Sequence, residues 1–134
     1  MGCNPSYRFS IDGHNLTIIE TDGIATDPLT VNQLEIFPGQ RYSVVVDANQ
    51  NTDNYWIRAA AVNFDGTLLP ANLTGFAILR YDGANATEPT TQPPKSYNVM
   101  NEADLHVCAF FTPGHWTPFD ARFLIYSPLS IPVQ

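Results

Sequence analysis

Short stretches along this chain alternate apolar with polar residues, and each stretch ends in a break rich in glycine, proline, asparagine or aspartate. Tyr7-Arg8-Phe9-Ser10-Ile11 alternates and is closed by Asp12-Gly13. Leu16 to Glu20 is the next run, closed by Asp22-Gly23. Leu29 to Phe37 sets Leu29, Val31, Gln33, Glu35 and Phe37 on one face, which predicts one strand ending at Pro38-Gly39. Arg41 to Asp47 carries the β-branched Val44, Val45 and Val46, and the turn-rich Ala48-Asn49-Gln50-Asn51 follows. Asn54 to Ala61 places Tyr55, Ile57 and Ala59 on one face and Trp56 and Arg58 on the other. Gly75 to Tyr81 is stopped by Asp82-Gly83. Strands recurring about every ten residues, with turn chemistry between them, predict an all-β fold of the Greek-key sandwich or barrel type. No stretch has helical periodicity.

The pattern changes after Tyr81. Asn85 to Pro94 is rich in Thr, Pro and Gln and reads as a linker or exposed strap. Beyond Leu105-His106 the chain is irregularly apolar, with Phe110, Phe111, Trp116, Phe119, Phe123, Leu124, Ile125 and Tyr126 interrupted by prolines. Such a tail packs poorly as a strand and is sticky where exposed. The expected division is a core over 1–84, a strap over 85–106 and a divergent tail over 107–134.

Composition narrows the function. The chain of 134 residues is one domain's worth, with 44% hydrophobic and 14% charged residues. A net charge of −7 with only 6 Lys+Arg cannot neutralise a row of phosphates, which argues against nucleic acid and against an anionic membrane surface. No apolar run approaches the roughly 20 residues that span a bilayer. Asn15-Leu16-Thr17, Asn72-Leu73-Thr74 and Asn85-Ala86-Thr87 are N-glycosylation sequons and predict an extracellular protein. Met1-Gly2-Cys3-Asn4-Pro5 lacks the basic start and apolar stretch of a secretory signal, so the native N-terminus is expected elsewhere.

Self-contained chemistry is hard to find. There is no G-x-S-x-G elbow, no catalytic-cysteine signature and no glycine-rich phosphate loop. A blue-copper site needs two His and one Cys with a weak axial ligand. His106, Cys108 and His115 lie close in sequence, but the axial Met is absent and the upstream His14 stands far away. Incidental histidines and a buried or free thiol are the simpler reading, and a small copper protein stays open as an alternative. His14, in Asp12-Gly13-His14-Asn15, reads as a structural residue that orients a hairpin.

Longer strings carry a resemblance. Cys3-Asn4-Pro5-Ser6-Tyr7-Arg8-Phe9-Ser10-Ile11-Asp12-Gly13-His14-Asn15-Leu16-Thr17-Ile18-Ile19-Glu20-Thr21-Asp22-Gly23 resembles the start of the second cupredoxin domain of fungal laccases. Ile36-Phe37-Pro38-Gly39-Gln40-Arg41-Tyr42-Ser43, Asn54-Tyr55-Trp56-Ile57-Arg58-Ala59, Ala77-Ile78-Leu79-Arg80-Tyr81-Asp82-Gly83 and Asn101-Glu102-Ala103-Asp104-Leu105-His106 continue it in order. The resemblance implies a cupredoxin-like fold and a three-domain parent, a secreted multicopper oxidase that oxidises phenols and aromatic amines while reducing dioxygen to water. It implies copper in that parent, held by His-x-His pairs of the first and third domains and a His-Cys-His segment of the third; none of these motifs occurs here.

Carried over residue by residue, the resemblance puts Asn4 where the family often has an acidic residue that binds the phenol or amine. It puts Phe64, beside an apparent one-residue insertion at Ala59-Ala60-Ala61, on an apolar pocket wall. It matches Cys3 to a cysteine that the family bridges to the first domain. The resemblance ends near His106, and a misread exon or frameshift is the expected cause. The reading is therefore a laccase fragment, inactive alone and binding no copper itself, whose partners are the first and third cupredoxin domains. The alternative from another class is a noncatalytic cupredoxin-like module that binds a partner chain or a small aromatic.

Overall fold

A computed structural model describes residues 6–63 and 65–108. Among these, seven strands form two antiparallel sheets and no α-helix is present. The strands are β1 (Ser6–Ile11), β2 (Leu16–Thr21), β3 (Ile24–Val31), β4 (Leu34–Ile36), β5 (Tyr42–Val45), β6 (Asn54–Val62) and β7 (Thr74–Arg80). One sheet has the order β4-β1-β6-β7 and the other β3-β2-β5. The chain therefore changes sheet between β1 and β2, β3 and β4, β4 and β5, and β5 and β6, as a sandwich requires. Strand alternation supplies the core: Ile11, Leu16, Ile18, Val31, Leu34 and Tyr55 meet between the sheets, with Met100 added from the strap. Leu16 and Ile18 are fully buried, and burial on this scale contributes about 1.5–3 kcal/mol per side chain.

Two expectations are corrected. Leu29 to Phe37 is not one strand, because β3 belongs to the three-stranded sheet and β4 to the four-stranded one. The backbone leaves the ladder at Asn32-Gln33, where both amide N–H groups donate to the Asn98 carbonyl and the Gln33 carbonyl accepts from Met100 N–H. Partners from the strap satisfy the corner, so alternation continues through it unbroken. Pro28 lies inside β3, an edge strand whose register shifts opposite Ile18/Glu20, which is where a missing N–H is tolerated. The second correction concerns Asp12-Gly13. It closes no hairpin but carries the chain from one sheet to the other, with Gly13 at φ +74° against the Tyr55 ring. The true hairpin turn is Asp22-Gly23, where both residues have positive φ, as a tight two-residue connection demands.

The inter-sheet corner is polar and buried. Asp12 has no exposed surface; its carboxylate accepts from Arg58 Nε at 2.8 Å, from Arg58 Nη2 at 2.7 Å and from the Thr91 hydroxyl at 2.8 Å. Thr91 belongs to the strap, and its hydroxyl also lies 3.3 Å from the Trp56 backbone N–H. Asn54 fastens the same strap by donating to the Asn85 carbonyl at 2.8 Å. Further along, Glu102 accepts from Gln40 Nε2 at 2.6 Å and from the Tyr42 hydroxyl at 3.2 Å. The Pro-rich segment is thus a docked strap.

Two predictions follow from these anchors. Arg58→Met strands the Asp12 charge in the interior and is expected to destabilise the fold by about 3–5 kcal/mol, with Asp12→Asn/Arg58→Met losing less than the sum of the single changes. Urea denaturation of the three variants measures this, and additivity would show that the pair does not act as a unit. Partial burial, then Glu102, push the Tyr42 phenol from 10.0 up to about 12. The folded phenol therefore holds its proton more tightly than the unfolded one. That contribution is complete below about pH 10 and is lost as pH rises toward 12. Thermal melts across this window should fall less steeply for Tyr42→Phe than for the unsubstituted chain.

Candidate functional site

The start of β1 and the finish of β6 lie together at one end of the four-stranded sheet. Ser6, the first residue of β1, pairs with Val62, the last of β6. From Val62 the chain turns: Gly66 N–H donates to the Asn63 carbonyl, Asn63 N–H to the Thr67 carbonyl, and Leu69 N–H to the Ala61 carbonyl. Asp65 accepts from both the hydroxyl (2.6 Å) and the backbone N–H (2.9 Å) of Thr67, and these bonds hold its carboxyl below the ordinary range. Gly66 has φ +79°, and a Cβ there would lie 3.8 Å from Arg8 Nη2. On the outer face of this end, Glu35 accepts from Ser6 Oγ at 2.8 Å and from Arg8 Nε at 3.1 Å.

The inner face of the same end is apolar. Tyr7, Phe9, Ile36, Phe37, Pro38, Gly39, Gln40 and Ala59 line an open cleft of about 380 Å³. Tyr7 and Phe37 are exposed, and among the described residues that line the cleft there is no carboxylate or amine. Such a surface can hold a flat apolar group.

Of the residues expected to act, Cys3, Asn4, Phe64 and His115 lie outside the described residues. Ser6, two residues after Asn4, and Val62, two residues before Phe64, are brought together by the register. Asn15, Asn72 and Asn85 are all exposed. His106 is exposed and Cys108 half-buried; their backbones serve the sheet edge, with His106 O accepting from Asp27 N–H and Cys108 N–H donating to Ala25 O. Among the described residues no three His, Cys, Asp or Glu side chains group as a metal site would need. His14 is buried with both ring nitrogens engaged, Nδ1 at 2.8 Å from the Asp12 carbonyl and Nε2 at 2.5 Å from the Tyr81 hydroxyl. It could bind copper only by abandoning both partners. The described donor set does not fit copper, and no copper step is assigned to it.

Sequence reasoning missed the Asp12–Arg58–Thr91 cluster. Arg58 is legible as the polar residue opposite Ile57 and Ala59, but its partner lies in a segment whose sequence signals only a turn. The Asp12 hydrogen bonds raise the Arg58 guanidinium further above its ordinary range, against the opposing effect of burial. The His14–Tyr55–Tyr81 contact was also hidden, since its members are 67 positions apart at the widest.

Comparison with known proteins places this architecture. The multicopper oxidase family model matches residues 1–84. Laccase-1 of Trametes villosa is 55% identical over 106 residues, covering 79% of this chain and 20% of the relative. Laccase-2 of Trametes versicolor is 50% identical over 119 residues, 88% of this chain and 22% of the relative, a match that necessarily runs beyond His106. The crystal structure of the laccase from Botrytis aclada superposes with a TM-score of 0.56 at 40% identity, over 68% of this chain and 17% of that one. Fet3p, a multicopper oxidase that functions in iron import, gives a TM-score of 0.60 at 27% identity, over 76% and 20%. The chain spans about a fifth of the length of the relatives it matches. It belongs to the multicopper oxidase family, on its fungal laccase branch, and its two sheets are a cupredoxin-like domain of that family.

Proposed function

We propose that the chain is part of the second of three cupredoxin domains in a secreted laccase-type oxidase of phenols and aromatic amines. Its role there is to build one wall of the reducing-substrate pocket, while the first and third domains supply the copper ligands. The observation that supports this reading most directly is the pairing of Ser6 with Val62, strand ends that lie two residues from Asn4 and from Phe64 in sequence. Asn4 offers an amide in place of a carboxylate, so it can hydrogen-bond a phenol but cannot pair with an ammonium. Cys3 bridges the first domain, and Asn15, Asn72 and Asn85, all exposed, carry glycans. Residues 1–84 form the core and 85–106 the strap, and the departure from laccase sequence lies within 107–134.

Three histidines in the whole chain are too few for the copper set of the parent. The isolated chain with added copper should consume no oxygen above a copper-only control when given a phenol. It should also show no intense thiolate-to-copper band in the visible. Oxygen uptake abolished by a histidine substitution, or a visible band lost in Cys108→Ser, would assign copper chemistry to this chain alone.

Grafting the chain in place of the matching segment of Laccase-1 tests the pocket role. The graft should oxidise phenols, and Asn4→Asp should lower KM for aromatic amines by roughly 5-fold, the equivalent of about 1 kcal/mol gained when a neutral hydrogen bond becomes charge-assisted. An unchanged KM for both substrate classes would remove Asn4 from the pocket. The open apolar cleft favours a second reading, a noncatalytic module that binds small aromatics; saturable binding of a phenol by the isolated chain, lost in Phe37→Ser, would mark it out.

A further inference from the structure

The one buried histidine among the described residues stands beside two tyrosine rings, and its hydrogen bonds select one tautomer of the neutral ring. His14 Nδ1 lies 2.8 Å from the Asp12 carbonyl oxygen, which can only accept, so Nδ1 carries the proton. In that neutral tautomer Nε2 presents a lone pair 2.5 Å from the Tyr81 hydroxyl, which donates to it. Tyr55 packs against both, its ring centroid 4.8 Å from that of His14 and 5.2 Å from that of Tyr81. We infer that Tyr81 is a redox-active tyrosine, built to give up an electron to a high-potential one-electron oxidant while His14 takes its proton. This inference concerns the chain's own residues and is independent of the substrate-pocket reading.

The step balances. The oxidant gains one electron from the Tyr81 ring and is reduced by one unit. The Oη–H bond breaks, and its proton forms an N–H bond at His14 Nε2. The products are a neutral tyrosyl radical and an imidazolium whose Nδ1–H still donates to the Asp12 carbonyl. Without a base in place, loss of the electron leaves a protonated radical cation, a much less accessible species.

The other described tyrosines lack this arrangement. Tyr55 donates to the Asn51 carbonyl at 2.7 Å, and an amide oxygen is too weak a base to take the proton. Tyr42 donates to Glu102, but at 3.2 Å and to a carboxylate, which is less basic than imidazole. Tyr7 and Tyr97 are more exposed, at 44% and 41%, and have no side-chain hydrogen bond to a described residue. The pre-aimed base therefore favours Tyr81, whereas solvent access alone favours Tyr7 and Tyr97.

The test uses the full chain and photogenerated tris(bipyridine)ruthenium(III) as the oxidant, with freeze-quench electron paramagnetic resonance as the readout. The tyrosyl signal should be lost in Tyr81→Phe, kept in Tyr55→Phe and Tyr42→Phe, and lost in His14→Gln, whose amide can accept a hydrogen bond but not a proton. Because His14→Gln removes a buried ring and can unfold the chain, the unsubstituted protein supplies a second measurement. Its radical should form more slowly in deuterium oxide, because the proton moves with the electron. A signal that survives Tyr81→Phe, one that disappears instead in Tyr7→Phe or Tyr97→Phe, a tryptophanyl spectrum, or a formation rate indifferent to deuterium would each overturn the inference.

Discussion

A carboxylate with no contact to water must be neutralised where it stands, and Asp12 is such a carboxylate at the point where the chain leaves one sheet for the other. Its two oxygens take a bidentate guanidinium from Arg58 on β6 and a hydroxyl from Thr91 on the strap. The fork geometry of arginine suits this, as a lysine would not. Satisfying one charge therefore ties three parts of the chain together. The pairing of Ser10 with Arg58 holds β1 and β6 in the register that brings guanidinium to carboxylate. The same register sets Ser6 opposite Val62 at the far end of both strands, so that end depends on a contact at the other end of the ladder.

The corner also decides what His14 can do. With Nδ1 committed to the Asp12 carbonyl and Nε2 to Tyr81, the ring is a built part of the sandwich and is withdrawn from metal binding. The Ser6 end of the sheet separates two kinds of surface by strand alternation alone. Even-numbered β1 residues carry Ser6 and Arg8 to the polar outer face, where Glu35 meets them, and odd-numbered Tyr7 and Phe9 line the apolar cleft. The same alternation thus gives one strand a polar surface and an apolar one.

The strap shows how composition can mislead about order. Thr, Pro and Gln without periodicity read as a linker, yet Asn85, Thr91, Asn98 and Glu102 all contribute hydrogen bonds to the sheets, and Met100 enters the core. Those bonds reach partners tens of residues away. Local patterning cannot register them, because each is made by a single side chain or carbonyl that has no periodic neighbour.

By itself, the amino-acid sequence determined the fold class, six of the runs that become strands or parts of strands, and the face that each side chain of β1 and β6 presents. These follow from local causes: the two-residue period of an extended chain and the turn chemistry of Asp22-Gly23 and Pro38-Gly39. The specific strings shared with laccases determined the family. Tertiary structure alone decided that Leu29 to Phe37 breaks into two strands and that Asp12-Gly13 is a corner between sheets. It alone also matched Asp12 with Arg58 and His14 with Tyr81. In each case the deciding partner comes from a distant part of the chain, and a buried polar group takes its role from the partner that satisfies it.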